Sequence, residues 1–241
     1  MNLLAGMKSW IRKRLAERLG VPEIPTALAR LRDCGFEPNV IFDVGAYRGE
    51  FARLCRSTWP SSDIACFEPQ ADAVIQLRRS LGKDPRISVF QLLLGAEDRA
   101  AVDFHLCETA SSVLEEQVDK SQAIATSPMA TIDKLVSAKA LQPPEFLKLD
   151  VQGYELEVLK GAHDVLKFVQ VVLAEVNFLD LHCGVPLHAE IGSWLHERGF
   201  VAFDVCSLIR RPLDDALWQA DMLFVKKSHA LRADKRWNKL P

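Results

Sequence analysis

From Asn39 onward, short apolar runs alternate with longer stretches whose apolar residues fall at helical spacing. The runs 39–45, 63–68, 87–93, 145–150, 169–176, 201–206 and 221–226 have the length and composition of strands. Residues 48–57, 70–81, 131–139, 153–167 and 187–198 read as helices. Near-continuous apolar strands interleaved with helices predict a mostly parallel sheet covered on both faces. The last two strands are joined by Leu208 to Ala220, which has no helical pattern, so they are expected to form an antiparallel pair at one edge. Upstream, Thr26 to Cys34 reads as a short helix stopped by Gly35 and Pro38, with Pro22 and Pro25 punctuating the element before it. Residues 105–130, from Glu108-Thr109-Ala110-Ser111-Ser112 to Ser127-Pro128, break the rhythm and read as a long irregular lid or binding loop. No repeat, low-complexity tract or linker divides the chain. The expected organisation is a helical extension over 1–37, one domain over 38–228 and a tail over 229–241.

The extension carries Leu3, Leu4, Met7, Trp10, Ile11 and Leu15 beside Lys8, Arg12, Lys13, Arg14 and Arg18. Such an amphipathic helix either packs on the domain, the preferred reading, or makes weak contact with an anionic membrane surface. Charges interrupt its apolar part, which argues against a signal peptide.

Composition narrows the classes. The 241 residues suffice for one large α/β domain, and a net charge of −2 provides no basic field for nucleic acid. The six cysteines (34, 55, 66, 107, 183 and 206) form no Cys-x-x-Cys pair, which suits a reduced cytoplasmic protein better than a disulfide framework or a zinc site. No apolar run approaches the roughly 20 residues of a membrane span.

The chemistry is concentrated in Val40-Ile41-Phe42-Asp43-Val44-Gly45-Ala46-Tyr47-Arg48-Gly49 and in Ile64-Ala65-Cys66-Phe67-Glu68. Strand, glycine turn, helix, strand and acid is the pattern of an αβ nucleotide site. The middle glycine that admits a pyrophosphate in G-x-G-x-x-G is absent, and Tyr47 takes its place. A carboxylate at position 43 repels a diphosphate and attracts a cation. S-adenosylmethionine fits, having a sulfonium, an ammonium and a ribose but no phosphate. Asp43 would hold the amino-acid end, directly or through water, and Gly45 and Ala46 would line it with backbone. Glu68 would accept both ribose hydroxyls. The alternative is that Asp43 and Glu68 only cap the helices that follow them.

These blocks, with Phe67-Glu68-Pro69, Thr131-Ile132-Asp133-Lys134-Leu135 and the run Phe146 to Ala162 (Phe-Leu-Lys-Leu-Asp-Val-Gln-Gly-Tyr-Glu-Leu-Glu-Val-Leu-Lys-Gly-Ala), resemble the FkbM family of class I methyltransferases. The resemblance runs in order from about residue 38 to 227. It implies a Rossmann-like α/β fold with a seven-stranded, mostly parallel sheet, an antiparallel edge strand and helices on both faces. It also implies S-adenosylmethionine as donor and O-methylation, often of sugar or polyketide hydroxyls. The cofactor-binding set is then Asp43, Gly45, Ala46, Tyr47, Gly49, Glu68, Pro69, Leu94 and Ser112, with Leu94 against the adenine. Two departures stand out: the family commonly has Asn at position 47 and often Glu at position 152.

The acceptor is expected to be a small molecule or glycan bearing a hydroxyl. Asp150 ends the fourth strand and Glu175 lies near the end of the fifth, so both fall at the carboxyl edge of the sheet, where ligands of open α/β sheets bind. Asp150 is the first candidate for base or acceptor anchor and Glu175 the second; a cap on the next helix is the plainer role for Asp150. His182 is a third candidate, and with His188 it forms no standard metal spacing. The paired acids could hold a divalent ion, but the ligand set is short and no metal is expected. Glu155 reads as a first-turn acid that favours its helix dipole, and His163 and His196 as packing or solvent-facing. Ser111 and Ser112 are candidates to hydrogen-bond an acceptor. A non-catalytic partner module is the alternative function. A nucleic-acid methyltransferase is disfavoured, since the chain lacks a basic aromatic stripe and an Asn-Pro-Pro-Tyr turn.

Overall fold

A computed structural model describes residues 20–106, 111–115, 123–138 and 141–238. The amphipathic segment 1–19, Cys107 and parts of the segment 105–130 lie outside them. The first helix, α1 (Ile24–Asp33), starts two residues earlier than the sequence suggests, because Pro25 occupies its first turn, where a missing N–H costs nothing. Then come β1 (Val40–Val44), α2 (Glu50–Thr58), β2 (Asp63–Phe67), α3 (Ala71–Leu81), β3 (Ile87–Phe90), β4 (Leu93–Leu94), β5 (Arg99–Leu106) and β6 (Ala123–Ala130). The chain continues through α4 (Ile132–Ser137), β7 (Phe146–Leu149), α5 (Glu155–Lys160), β8 (Val171–Asn177), α6 (His188–Glu197), β9 (Phe200–Val205), β10 (Ile209–Arg210) and β11 (Leu217–Lys226). Among the described residues, no helix is long and apolar enough to cross a membrane.

The main sheet runs β3-β2-β1-β7-β8-β11, with β9 and the two-residue β10 both pairing β11. The first five strands are parallel. β11 is antiparallel to β8 and to β9, so the expected antiparallel pair is present, with β9 and β10 forming the outer edge. This is a Rossmann-like α/β architecture, with β10 as an eighth strand.

Side-chain alternation along the strands divides the core in two. Phe42, Val44, Leu147, Leu149, Val172 and Ala174 face a cluster completed by α5 and α6. Ile41, Ile64, Cys66, Phe146, Leu173 and Leu223 face a cluster completed by α1 and α2. α1 therefore adds Ala27, Leu28 and Leu31 to the core of the domain.

Three expectations need correction. The run 87–93 is two strands: β3 joins the main sheet, and β4 pairs with β6 in a second, three-stranded sheet ordered β4-β6-β5. The segment 105–130 is not one irregular loop, because β5 and β6 form an antiparallel hairpin across it. The helix expected over 153–167 ends at Lys160. There Gly161 comes so close to the backbone of Gly95 that an added Cβ would lie 1.9 Å from its carbonyl oxygen; a 3-10 turn at Val165–Lys167 follows.

Candidate active site

The turn after β1 is built by its backbone. Gly45 and Ala46 both donate N–H to Phe67 O at 3.0 Å, Gly49 donates to Ala46 O at 2.8 Å, and Tyr47 N donates to Glu68 Oε2 at 2.8 Å. Gly45 sits at φ +78°, and a Cβ there would lie 1.7 Å from Asp150 O. Tyr47 adopts φ +45°, a left-handed conformation uncommon for a non-glycine residue. The turn binds itself to β2, and these four amides are consumed. None of them remains for a phosphate, so the turn lacks the amide nest that pyrophosphate sites use.

Above it lies a cavity of about 510 Å³, within the range of small-ligand pockets. Gly45, Ala46, Tyr47, Glu68, Pro69 and Leu94 line one part of it, together with Phe104 and Ser112. Glu68 is 3% exposed, and its other oxygen accepts Gln70 N at 2.8 Å. Burial raises its pKa against the opposing pull of these two backbone bonds. A carboxylate has about four acceptor positions, so two amide bonds leave room for a vicinal diol. Glu68 thus joins the turn to the start of α3 and keeps acceptor capacity toward the cavity. Ser112 Oγ donates to Gln152 O at 2.7 Å and accepts Leu114 N at 3.0 Å, so it ties the hairpin segment to the β7–α5 turn. Gly49 lies behind the wall; its Cβ would meet Leu77 at 2.4 Å.

Asp43 is fully buried and does not line the cavity. Its register partner on β7 is Lys148, whose Nζ lies 3.2 Å from Asp43 Oδ1 and 3.3 Å from Asp150 Oδ2 and donates to Gly45 O at 2.8 Å. Burial raises the Asp43 pKa, partly offset by Lys148. Burial alone would lower that of Lys148, but Asp150 and Asp43 outweigh it and hold the ammonium charged. Lys148 was not singled out in the sequence. Its signal was a lone cation in the otherwise apolar run Phe146–Leu149.

Asp150 faces the cavity with 36% of its side chain exposed and accepts Gln152 Nε2 at 2.9 Å. Glu175 is 5% exposed and lies behind it, accepting Gln219 Nε2 at 2.7 Å and Gln152 Nε2 at 3.3 Å. Burial and then Asp150 push its pKa well up. Gln152, at φ +54°, bridges both acids. A carboxylate at position 152, as the family often has, would crowd two acids already side by side.

Glu155 does more than favour a dipole. It is fully buried, and its Oε1 accepts Val151 N at 2.9 Å and Gly153 N at 3.2 Å, holding the turn after Asp150; burial raises its pKa to about 7. His182 is buried outside the cavity lining. His188 stacks on Phe178, ring centroids 4.4 Å apart, and His196 lies by Lys227. Sequence reasoning also missed Phe51, Leu54, Tyr154 and Asp221 in the lining, since each reads as an ordinary core or edge residue.

Residues 43–202 match the Methyltransferase FkbM domain. Hexuronic acid methyltransferase AglP of Haloferax volcanii is 29% identical over 144 residues, 58% of this chain and 57% of that protein. 2-O-methyltransferase NoeI of Sinorhizobium fredii is 23% identical over 167 residues, 62% of this chain and 68% of that one. The chain therefore spans little more than half the length of the haloarchaeal relative. The N-terminal domain of EvdMO1, solved in the presence of SAH and D-fucose, is 12% identical over 84% of this chain and 83% of that one, with a TM-score of 0.49. That likeness is too loose to carry an argument. The domain match begins at the acid of β1, ends within β9 and takes in well over half of the residues, and on it the chain belongs to the FkbM family of methyltransferases, with S-adenosylmethionine as its cofactor.

Proposed function

We propose that this protein is an O-methyltransferase acting on a hydroxyl of a sugar, glycan or secondary metabolite. Bound above the turn, S-adenosylmethionine supplies an electrophilic methyl group on a sulfonium. The residues that would hold it are Glu68, the backbone of Gly45 and Ala46, and the apolar wall of Pro69, Leu94 and Phe104. The observation that carries the reading is Asp150. It lies in the cavity between Lys148 and Gln152, both of which fix its carboxylate, while part of that carboxylate stays open. A carboxylate so placed can orient a hydroxyl and accept its proton as the new bond forms, and positioning provides much of the effect. Sugar acceptors are supported by the two relatives, one a hexuronic acid methyltransferase and one a 2-O-methyltransferase. The five described cysteines are all unpaired thiols, which supports a reduced, cytoplasmic setting.

The test is methyl release from S-adenosylmethionine across a panel of hydroxylated acceptors, with wild type and Asp150→Asn side by side. S-adenosylhomocysteine binding is followed by calorimetry in both. Turnover abolished by the substitution with binding intact supports the reading. Cofactor binding without turnover on any acceptor favours a partner module instead.

A further inference from the structure

The cavity is lined by more residues than the cofactor set accounts for. Continuing the strand registers by one residue places Glu68, Gly45, Asp150, Glu175 and Asp221 in one row across the carboxyl ends of β2, β1, β7 and β8 and the amino-terminal half of the antiparallel β11. Neighbouring strands lie about 4.8 Å apart, so Glu68 and Asp221 are separated by roughly 19 Å along the row. Both line the same cavity. The lining also includes Asp221, Phe51 and Leu54 of α2, and Ile24 and Pro25 at the start of α1, none of which belongs to the cofactor set.

The charge of this wall is one-sided. Among the described residues, the charged lining comprises Glu50, Glu68, Asp150, Asp221 and one cation, Lys148. Lys148 has no proton to spare. Its ammonium donates to Gly45 O, faces Asp43 and Asp150 at 3.2 and 3.3 Å, and lies 5.6 Å from the centroid of the Phe51 ring. Asp221 accepts a hydrogen bond from Ser207 Oγ, so its carboxylate is held in place. A hydroxylated compound entering here meets aromatic and aliphatic carbon on one side and fixed carboxylate acceptors on the other. Among the described lining, a carboxylated compound entering here finds Asp150 and Asp221 and no uncommitted cation, so its charge is buried unpaired, which is costly.

We propose that the part of the cavity lined by Asp150, Asp221, Ile24 and Pro25 is the acceptor site, and that it takes an uncharged or cationic sugar-like hydroxyl compound and rejects a carboxylated one. This rests on the methyltransferase reading and adds to it a substrate class that differs from the hexuronic acid named for the haloarchaeal relative. Phe51 offers its ring to the C–H face of the acceptor, and Asp221 accepts one of its hydroxyls.

The experiment uses the full chain and three matched probes: a methyl hexoside, the corresponding 2-amino-2-deoxyhexoside and the corresponding hexuronide. Methyl transfer is read by mass spectrometry, and S-adenosylhomocysteine affinity is measured in parallel. The hexoside or the aminohexoside is expected to exceed the hexuronide by at least about tenfold, equivalent to about 1.4 kcal/mol in transition-state binding. Asp221→Asn is expected to raise KM for the neutral acceptor while S-adenosylhomocysteine affinity stays at the wild-type value, which also reports that the variant is folded. A hexuronide methylated as fast as, or faster than, the neutral probe overturns the selectivity and leaves the methyltransferase reading standing. An unchanged KM in Asp221→Asn overturns the placement of the site. Transfer to none of the three, with S-adenosylhomocysteine still bound, overturns this inference alone; the methyltransferase reading falls only if the wider acceptor panel is also silent.

Discussion

The two faces of the main sheet are cut from the same strands and end differently. On the face toward α5 and α6, Phe42, Val44, Leu147, Leu149, Val172, Ala174 and Val176 keep the strands apolar to their carboxyl ends. On the face toward α1 and α2, Ile41, Ile64, Phe146 and Val171 begin in the same way, but the upper positions are Asp43, Lys148, Asp150 and Glu175. One face holds the fold together, and the other changes from core to chemistry within two residues of each strand. Burying those polar groups is costly unless they are paired. The pairing is visible: Lys148 with two acids and a carbonyl, Gln152 with Asp150 and Glu175, Gln219 with Glu175 and Asn177.

The largest effect should come from the polar face. Asp150→Asn is expected to lower kcat by about 10²- to 10⁴-fold, the usual contribution of a general base, with S-adenosylhomocysteine affinity unchanged. Its counterpart on the apolar face, Leu147→Ala, should do the opposite. Thermal or urea unfolding is expected to show a loss of about 2–5 kcal/mol, with activity per folded molecule retained. If both variants lose activity and stability together, the division of labour between the faces is wrong.

Next in size is Glu68→Gln. It replaces one of two oxygens that accept backbone N–H groups and removes the charge-assisted bonds offered to a diol. Calorimetry should show cofactor affinity falling about 10- to 100-fold, in line with about 1.5–3 kcal/mol for hydrogen bonds to a charged group.

The smallest effect concerns pH. Burial raises the Glu155 pKa from 4.5 to about 7. An acid whose pKa is higher in the folded state favours folding below its unfolded pKa, and that contribution is lost as pH rises through the folded value. The window is therefore about pH 4.5 to 7. Glu155→Gln cannot titrate, so relative to the variant the wild type should lose about 1–2 kcal/mol of stability between pH 5 and 7. Parallel stability curves for the two proteins would refute this.

Much of the fold was legible because parallel strands buried on both faces announce themselves as apolar runs, and each run ended within a few residues of an observed strand. The turn after β1 and Glu68 were legible because glycine and carboxylate have few reasons to stand at strand ends. The hairpin β5–β6 was hidden by Pro128, which normally argues against a strand. The structure accommodates it with a register shift: Ser127 pairs with Val102 and Met129 with Arg99, so Pro128 faces the bulge and interrupts no ladder bond. Lys148 and Asp221 were hidden because a charge inside an apolar strand shows its role only when the neighbouring strands are aligned. Asp43 was assigned to the ligand by its place in the motif, and the structure puts it beneath the floor of the cavity, opposite Lys148.

The hairpin also has a bearing on engineering. It belongs to a three-stranded sheet of its own, with a small core of Leu93, Val102, Phe104 and Met129, and it meets the cavity through Phe104 and through Ser111 to Val113 between its strands. Any redesign of the connection between β5 and β6 therefore has to keep Ser112, whose bond to Gln152 O fastens this miniature scaffold to the turn that follows Asp150.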